Sequence, residues 1–146
     1  MQRGSVVSLH IARKHSQPMI AVGQVRAVPG KGLEGDRHFG RTENRQVTLI
    51  EIEGIEALTR DYQTSLLPGE ARRAIVTRGV ALNHLVGREF QVGEVRMRGT
   101  KLCEPCDHLA QLTSEIVKRG LIHRGGLCAQ ILTDGVIRPG DCISAD

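Results

Sequence analysis

The chain has 146 residues, 40% of them hydrophobic and 25% charged, with a net charge of +4. That length suits one core burying roughly two-thirds of the unfolded chain's surface, so residues 1–146 read as a single domain. No apolar run approaches the roughly 20 residues of a membrane span. With aromatics at 2%, bases would find almost no stacking platforms, which argues against nucleic acid and for a small anionic, phosphorylated ligand.

The opening "MQRGSVVSLHIARK" lacks the long apolar core and small-residue cleavage site of a signal peptide. A cytoplasmic location follows as the expectation, with the four cysteines reduced. Alternation over 5–12 predicts a first strand, and "VPGKGLEGDRHFG" (28–40), rich in glycine, predicts a loop. The β-branched run 47–53 predicts a second strand and 53–62 a helix. A helix over 79–87, a strand over 89–99, a helix over 107–120 and a strand over 128–135 follow. In the 107–120 segment Leu109, Leu112 and Ile116, with Leu121 just beyond, lie near one face, Asp107 can cap the start and Gly120 can end it. Pro139-Gly140 predicts a type II turn closing a hairpin. The whole predicts a mainly β (α+β) fold with a few short helices.

The stretch "KLCEPCDHL" places Cys103 and Cys106 three residues apart. A structural zinc site wants four ligands and usually a second knuckle, which the sequence lacks. Thioredoxin-like chemistry activates the first thiol at a helix N-terminus, whereas here the predicted helix begins after the second. Cys106 is therefore the candidate reactive thiol, although Glu104 and Asp107 act against thiolate formation. Two inert, packed thiols remain the alternative, and Cys128 and Cys142, within apolar strand patterns, read as core residues.

Three stretches, "GLEGDRHFG", "GEARRAIVTRGVALNHLVGREFQVGEVRMRGTKLCEPCDHL" and "HRGGLCAQILTDGVIRPGD", together resemble the MOSC family, named for the C-terminal domain of molybdenum cofactor sulfurase. The resemblance, to small bacterial stand-alone members, implies a compact β-barrel-like fold. It also implies a functional thiol at Cys106, either carrying sulfur as a persulfide or ligating molybdenum in a bound molybdopterin cofactor. Cys103 then resolves a persulfide, assists the metal site or packs.

In this reading Gly35, Asp36, Arg37 and His38 of the glycine-rich loop, with Arg73 and Arg124, face the anionic cofactor; for Asp36 a plain turn-organising role competes. The family places an asparagine after the arginine matched by Arg73, where this chain has Ala74. Arg72 and Arg78 are expected to be solvated charges. As a sulfur carrier the protein would need a separate pyridoxal-phosphate-dependent cysteine desulfurase, with no pyridoxal phosphate in this chain. As a small molybdenum-dependent reductase of N-hydroxylated compounds it would need an electron-donating reductase. A cofactor-delivery module and a zinc-stabilised domain are the non-catalytic alternatives.

Overall fold

The computed structural model describes residues 2–41 and 43–146. The alternating first segment forms β1 (Gln2–Ile11), which buries Val6 and Leu9. Two short strands follow, β2 (Ile20–Val22) and β3 (Val25–Val28), and the glycine-rich loop itself contains a two-residue strand, β4 (Gly32–Leu33).

In β5 (Val47–Glu51) the apolar run is buried on both faces. Val47 and Leu49 join one core and Ile50 another. Its continuation does not stay extended: α1 (Ile52–Tyr62) starts at once and covers the outer face with Ile52, Ile55 and Leu58. The helix ends where Gln63 turns left-handed, its amide donating to Thr59 O and that of Thr64 to Leu58 O, which satisfies terminal carbonyls. After this crossover β6 (Ile75–Arg78) returns parallel to β5, the connection a parallel pair requires.

The remaining strands are β7 (Glu89–Val92), β8 (Val95–Leu102), β9 (Leu127–Ile131), β10 (Gly135–Ile137) and β11 (Cys142–Ala145). The strand predicted over 89–99 is thus a tight hairpin of β7 and β8. Main-sheet order is β11-β7-β8-β9-β5-β6-β1-β2, and β1 also pairs with β11, from Gln2↔Ala145 to Ser5↔Cys142. The sheet therefore closes into a seven-stranded barrel with β2 outside the ring. β10, β3 and β4 make a small separate sheet. The barrel interior holds Leu9, Leu49, Ile75, Phe90, Val95, Met97, Leu127 and their neighbours.

Several expectations change on this frame. Residues 79–87 form only a single 3₁₀ turn, Leu82–Leu85, because Gly79 (φ +85°) and Gly87 (φ +77°) leave helical geometry and Val86 is already drawn into a bridge with Gly99. The predicted 107–120 helix is two, α2 (Asp107–Leu112) and α3 (Glu115–Gly120), with Ser114 capping the second by accepting from the Val117 amide. The break rotates the apolar face: Leu109, Val117 and Leu121 are buried, but Leu112 and Ile116 are each 44% exposed. Cys106, not Asp107, is the N-cap residue, and Asp107 pairs with Lys118. Gly120 is the last helical residue; a Cβ there would collide with Leu58 of α1.

The Pro139-Gly140 turn has the expected form, with Gly140 at φ +92° and the Asp141 amide donating to Arg138 O at 3.1 Å. It joins strands of different sheets, though, and so closes no hairpin. Cys142 is exposed, not core, because its position on β11 opposite Ser5 faces away from the interior that Ile143 enters.

Gly126, just before β9, has φ +112°, and a Cβ on it would overlap Leu49 O. Gly126→Ala should therefore destabilise the fold by at least about 3 kcal/mol, through backbone strain and overpacking together, as measured by urea denaturation.

Candidate functional site

The site is assembled where β8 leaves the barrel. Arg73, 8% exposed just before β6, donates from Nε to Gly125 O at 2.7 Å and from Nη2 to Cys103 O at 2.9 Å. The Cys103 amide donates to Gly126 O at 2.8 Å. Glu104 then accepts from the His123 amide at 2.7 Å and meets His123 Nδ1 at 2.7 Å. These ties fix the start of the Cys103–Cys106 segment at Cys103 and Glu104, and its two thiols differ in exposure. Cys103 is 1% exposed and Cys106 is exposed at the start of α2.

The buried sulfur has its own partners. Arg45 Nη2 donates to Cys103 Sγ at 3.0 Å. Hydrogen bonding from the Cys128 thiol, helped by Arg73 and Arg45 and opposed by burial, holds Cys103 below the ordinary thiol range, while the same contact pushes Cys128 up. For Arg45, burial acts to lower its pKa, but the Cys103–Cys128 pair outweighs it and the net shift is upward. Cys128 is therefore buried as expected, but engaged with a neighbouring sulfur.

In the glycine-rich loop Gly35 turns at φ +85°. Asp36, 7% exposed, accepts from the Ala12 amide at 3.1 Å and from Arg37 Nη1 at 3.3 Å, and its second oxygen lies 3.5 Å from His38 Nδ1. Burial pushes the Asp36 carboxyl up, but His38, the Ala12 amide and Arg37 together hold it below its ordinary value. Asp36 thus lies beneath the loop and orients Arg37 and His38.

Arg37, Arg45, Arg72 and Arg73, with His15, His38 and His108, surround a cavity of about 190 Å³ whose wall also includes Cys106 and Glu104. His15 stacks on His108 with ring centroids 4.3 Å apart. Burial, and then the other arginines against the partial compensation of Asp36, lower the pKa of Arg37. Two buried guanidinium nitrogens have no protein partner among the described residues, Arg45 Nε and Arg72 Nη2.

The cavity brings together Cys106, Arg37, His38 and Arg73 of the residues singled out from sequence. Gly35 and Asp36 support it from behind, and Cys103 touches it through Arg45. Arg124 is elsewhere, beside α1, with Nη1 3.6 Å from Asp61 in a cleft of about 440 Å³. Arg72 overturns its expected solvated role: it is 8% exposed, left-handed at φ +62°, and donates to Gln17 O at 2.7 Å. Arg78 does lie on the surface, paired with Glu56. Ala74 packs into the barrel core, its amide held by Thr48 Oγ1 and its carbonyl by the His10 amide, so the missing asparagine leaves no unpaired backbone group. His15 and Arg45 escaped sequence reading because each comes from a connection with no periodic pattern. Among the described residues no group of three or more His, Cys, Asp or Glu side chains converges as a metal site, so the four-ligand zinc reading finds no support.

A closed β-barrel thus carries an arginine-walled cavity beside an accessible thiol, side chains whose chemistry suits an anion and a soft metal or sulfur. The MOSC domain model matches residues 34–144, and the chain belongs to the MOSC domain family, which is generally associated with molybdenum cofactor binding. Its fold is similar to the crystal structure of the YUAD protein from Bacillus subtilis, at 18% identity and a TM-score of 0.87, covering 98% of this chain and 97% of that one. It is also similar to YiiM from Geobacillus stearothermophilus (15% identity, TM-score 0.77, 98% and 75% covered) and YiiM from Escherichia coli (18%, 0.67, 99% and 69%). No curated protein matches the chain. No helix among the described residues is long and apolar enough to cross a membrane.

Two outcomes test this geometry. Because the folded Asp36 carboxyl titrates below its unfolded value near 3.9, its contribution is present above that pH and is lost as pH falls through the folded pKa. Asp36→Asn should lower Tm at pH 7, and the gap from wild type should narrow below about pH 4. Burial also outranks thiolate character in deciding reactivity: iodoacetamide under native conditions should label Cys106 and Cys142 well before Cys103 and Cys128, as read by peptide mass spectrometry.

Proposed function

We propose that the chain binds the molybdenum cofactor in the Cys106 cavity, with the Cys106 thiolate as a ligand to the metal. The observation that carries this reading is a cluster of guanidinium groups, one with the unpartnered Arg45 Nε, converging beside an exposed thiol. An uncompensated buried donor is costly unless a ligand completes it, and arginine suits the planar oxygens of a phosphate. The donor set fits the group: soft sulfur for molybdenum, and Arg37, Arg45 and His38 for the pterin phosphate.

When bound, the cofactor would supply a two-electron redox centre, suited to reducing N-hydroxylated or related substrates with electrons from a separate reductase. The protein's part is positional. Asp36 fixes Arg37 and His38, Arg73 fixes the segment that presents Cys106, and the His15–His108 stack closes one wall.

Sulfur carriage is the second reading, and one observation favours it. Cys103 is buried against Arg45 and Cys128, so a persulfide on exposed Cys106 would have no resolving thiol at hand. That use requires a pyridoxal-phosphate-dependent desulfurase as donor. Delivery of intact cofactor to an acceptor protein would use the same cavity without turnover.

Protein purified from a cofactor-producing host should contain stoichiometric molybdenum and pterin. Cys106→Ala should lose at least about tenfold in molybdenum, the scale on which a lost metal-site group is felt, while keeping its Tm. Full molybdenum retention in that variant, by elemental mass spectrometry, would overturn the ligand role. Cyanolysable sulfur appearing on wild type but not on Cys106→Ala, after incubation with a desulfurase and cysteine, would establish the carrier reading instead.

A further inference from the structure

A second cavity, of about 590 Å³, adjoins the first, and Arg72 lines both. Its walls are largely apolar: Pro18, Met19, Ala21, Leu67, Pro68 and Leu112. Leu67 is 70% exposed and Leu112 44%, an uncommon outlay of apolar surface for two neighbouring elements. Its size and lining are those of small-molecule sites, apolar with a few placed polar groups.

The partition between the cavities is the connection from β1 to β2, pinned from both sides. Arg37 Nη1 donates to Met19 Sδ at 3.1 Å, Arg72 Nη1 to Gln17 O at 2.7 Å, and Ser16 Oγ lies 3.4 Å from His108 Nε2. His15 from this connection faces the thiol cavity, while Ser16, Pro18 and Met19 face the apolar one.

Arg72 is more than nine-tenths buried, and its Nη2 has no partner among the described residues. A phosphate, with two charges, suits the several cations of the thiol cavity better. Among the described residues lining the apolar cavity Arg72 is the one arginine or lysine, so a single acceptor group suffices there. His10 adds no charge there, since burial lowers its pKa, and Glu70 at the rim is occupied in accepting from the Leu67 amide at 2.8 Å.

We propose that this cavity binds an apolar small molecule bearing a single carboxylate, with the carboxylate on Arg72 at the junction with the thiol cavity and the hydrocarbon body against Met19, Leu67 and Leu112. That the occupant is the substrate of the Cys106 centre rests on the cofactor reading above; the binding itself does not.

Cofactor-free protein titrated calorimetrically with octanoate should show saturable binding, and octan-1-ol and octylammonium should bind at least tenfold more weakly, as loss of a charge-assisted hydrogen bond requires. Glu70→Gln should tighten octanoate and Arg72→Met should weaken it at least tenfold. If Arg72→Met fails to fold by circular dichroism, Leu112→Glu decides: it alters an exposed wall residue and should weaken octanoate tenfold or more. Equal affinity for octanoate and octan-1-ol, no octanoate binding, or wild-type affinity in Leu112→Glu would overturn the proposal. Octanoate binding by a chain that takes up no molybdenum would uphold this cavity and overturn only the cofactor reading.

Discussion

Arg73 is the tie on which the site depends. Its buried guanidinium joins the Cys103 carbonyl just past β8 to the Gly125 carbonyl shortly before β9, at the point where the barrel releases the chain toward α2. Without it two buried acceptors would lose a charged donor, a loss that mutational series place at about 1.5–3 kcal/mol for such bonds. The larger effect would be geometric, because the segment between Cys103 and Cys106 is held by that bond, by the Cys103 amide and by the Glu104–His123 contact. The arginine is thus structural through two of its nitrogens and electrostatic through its charge.

The cavity concentrates like charge. Among the described residues Arg37, Arg45, Arg72 and Arg73 share its wall with one carboxylate, Glu104, which is committed to His123. Such an arrangement maintains a standing positive potential and is offset in the folded chain by the Cys103–Cys128 sulfur pair and by Asp36. An anion that enters relieves repulsion already present, so its binding would raise the stability of the native state by mass action.

Periodicity made the barrel strands legible, above all β1 and β5, whose apolar residues mark buried faces directly. It failed where a local pattern was overruled by packing. Leu112 and Ile116 sit at helical spacing yet lie outside, because the break at Ser114 turns α3 so that Val117 and Leu121 reach the core. The glycine-rich loop announced Arg37 and His38. Arg45 and His15 had no such signal, since they meet only through pairings across the barrel. The adjacent arginines show the limit plainly: Arg72 and Arg73 look alike in sequence, and only the left-handed turn at Arg72 sends both inward.

The pairing of β1 with β11 joins the earliest strand to the latest, Gln2 beside Ala145. Ring closure must therefore wait until β11 has left the ribosome, and until then β1 offers an unsatisfied edge over Gln2–Ser5. Such non-local pairing slows folding, since loop-closure entropy is lost before the contact forms. The nascent chain consequently passes through an open, aggregation-prone sheet, in which Arg45 and Arg73 precede by a wide interval the Cys103 and Gly125 partners that will hold them in place.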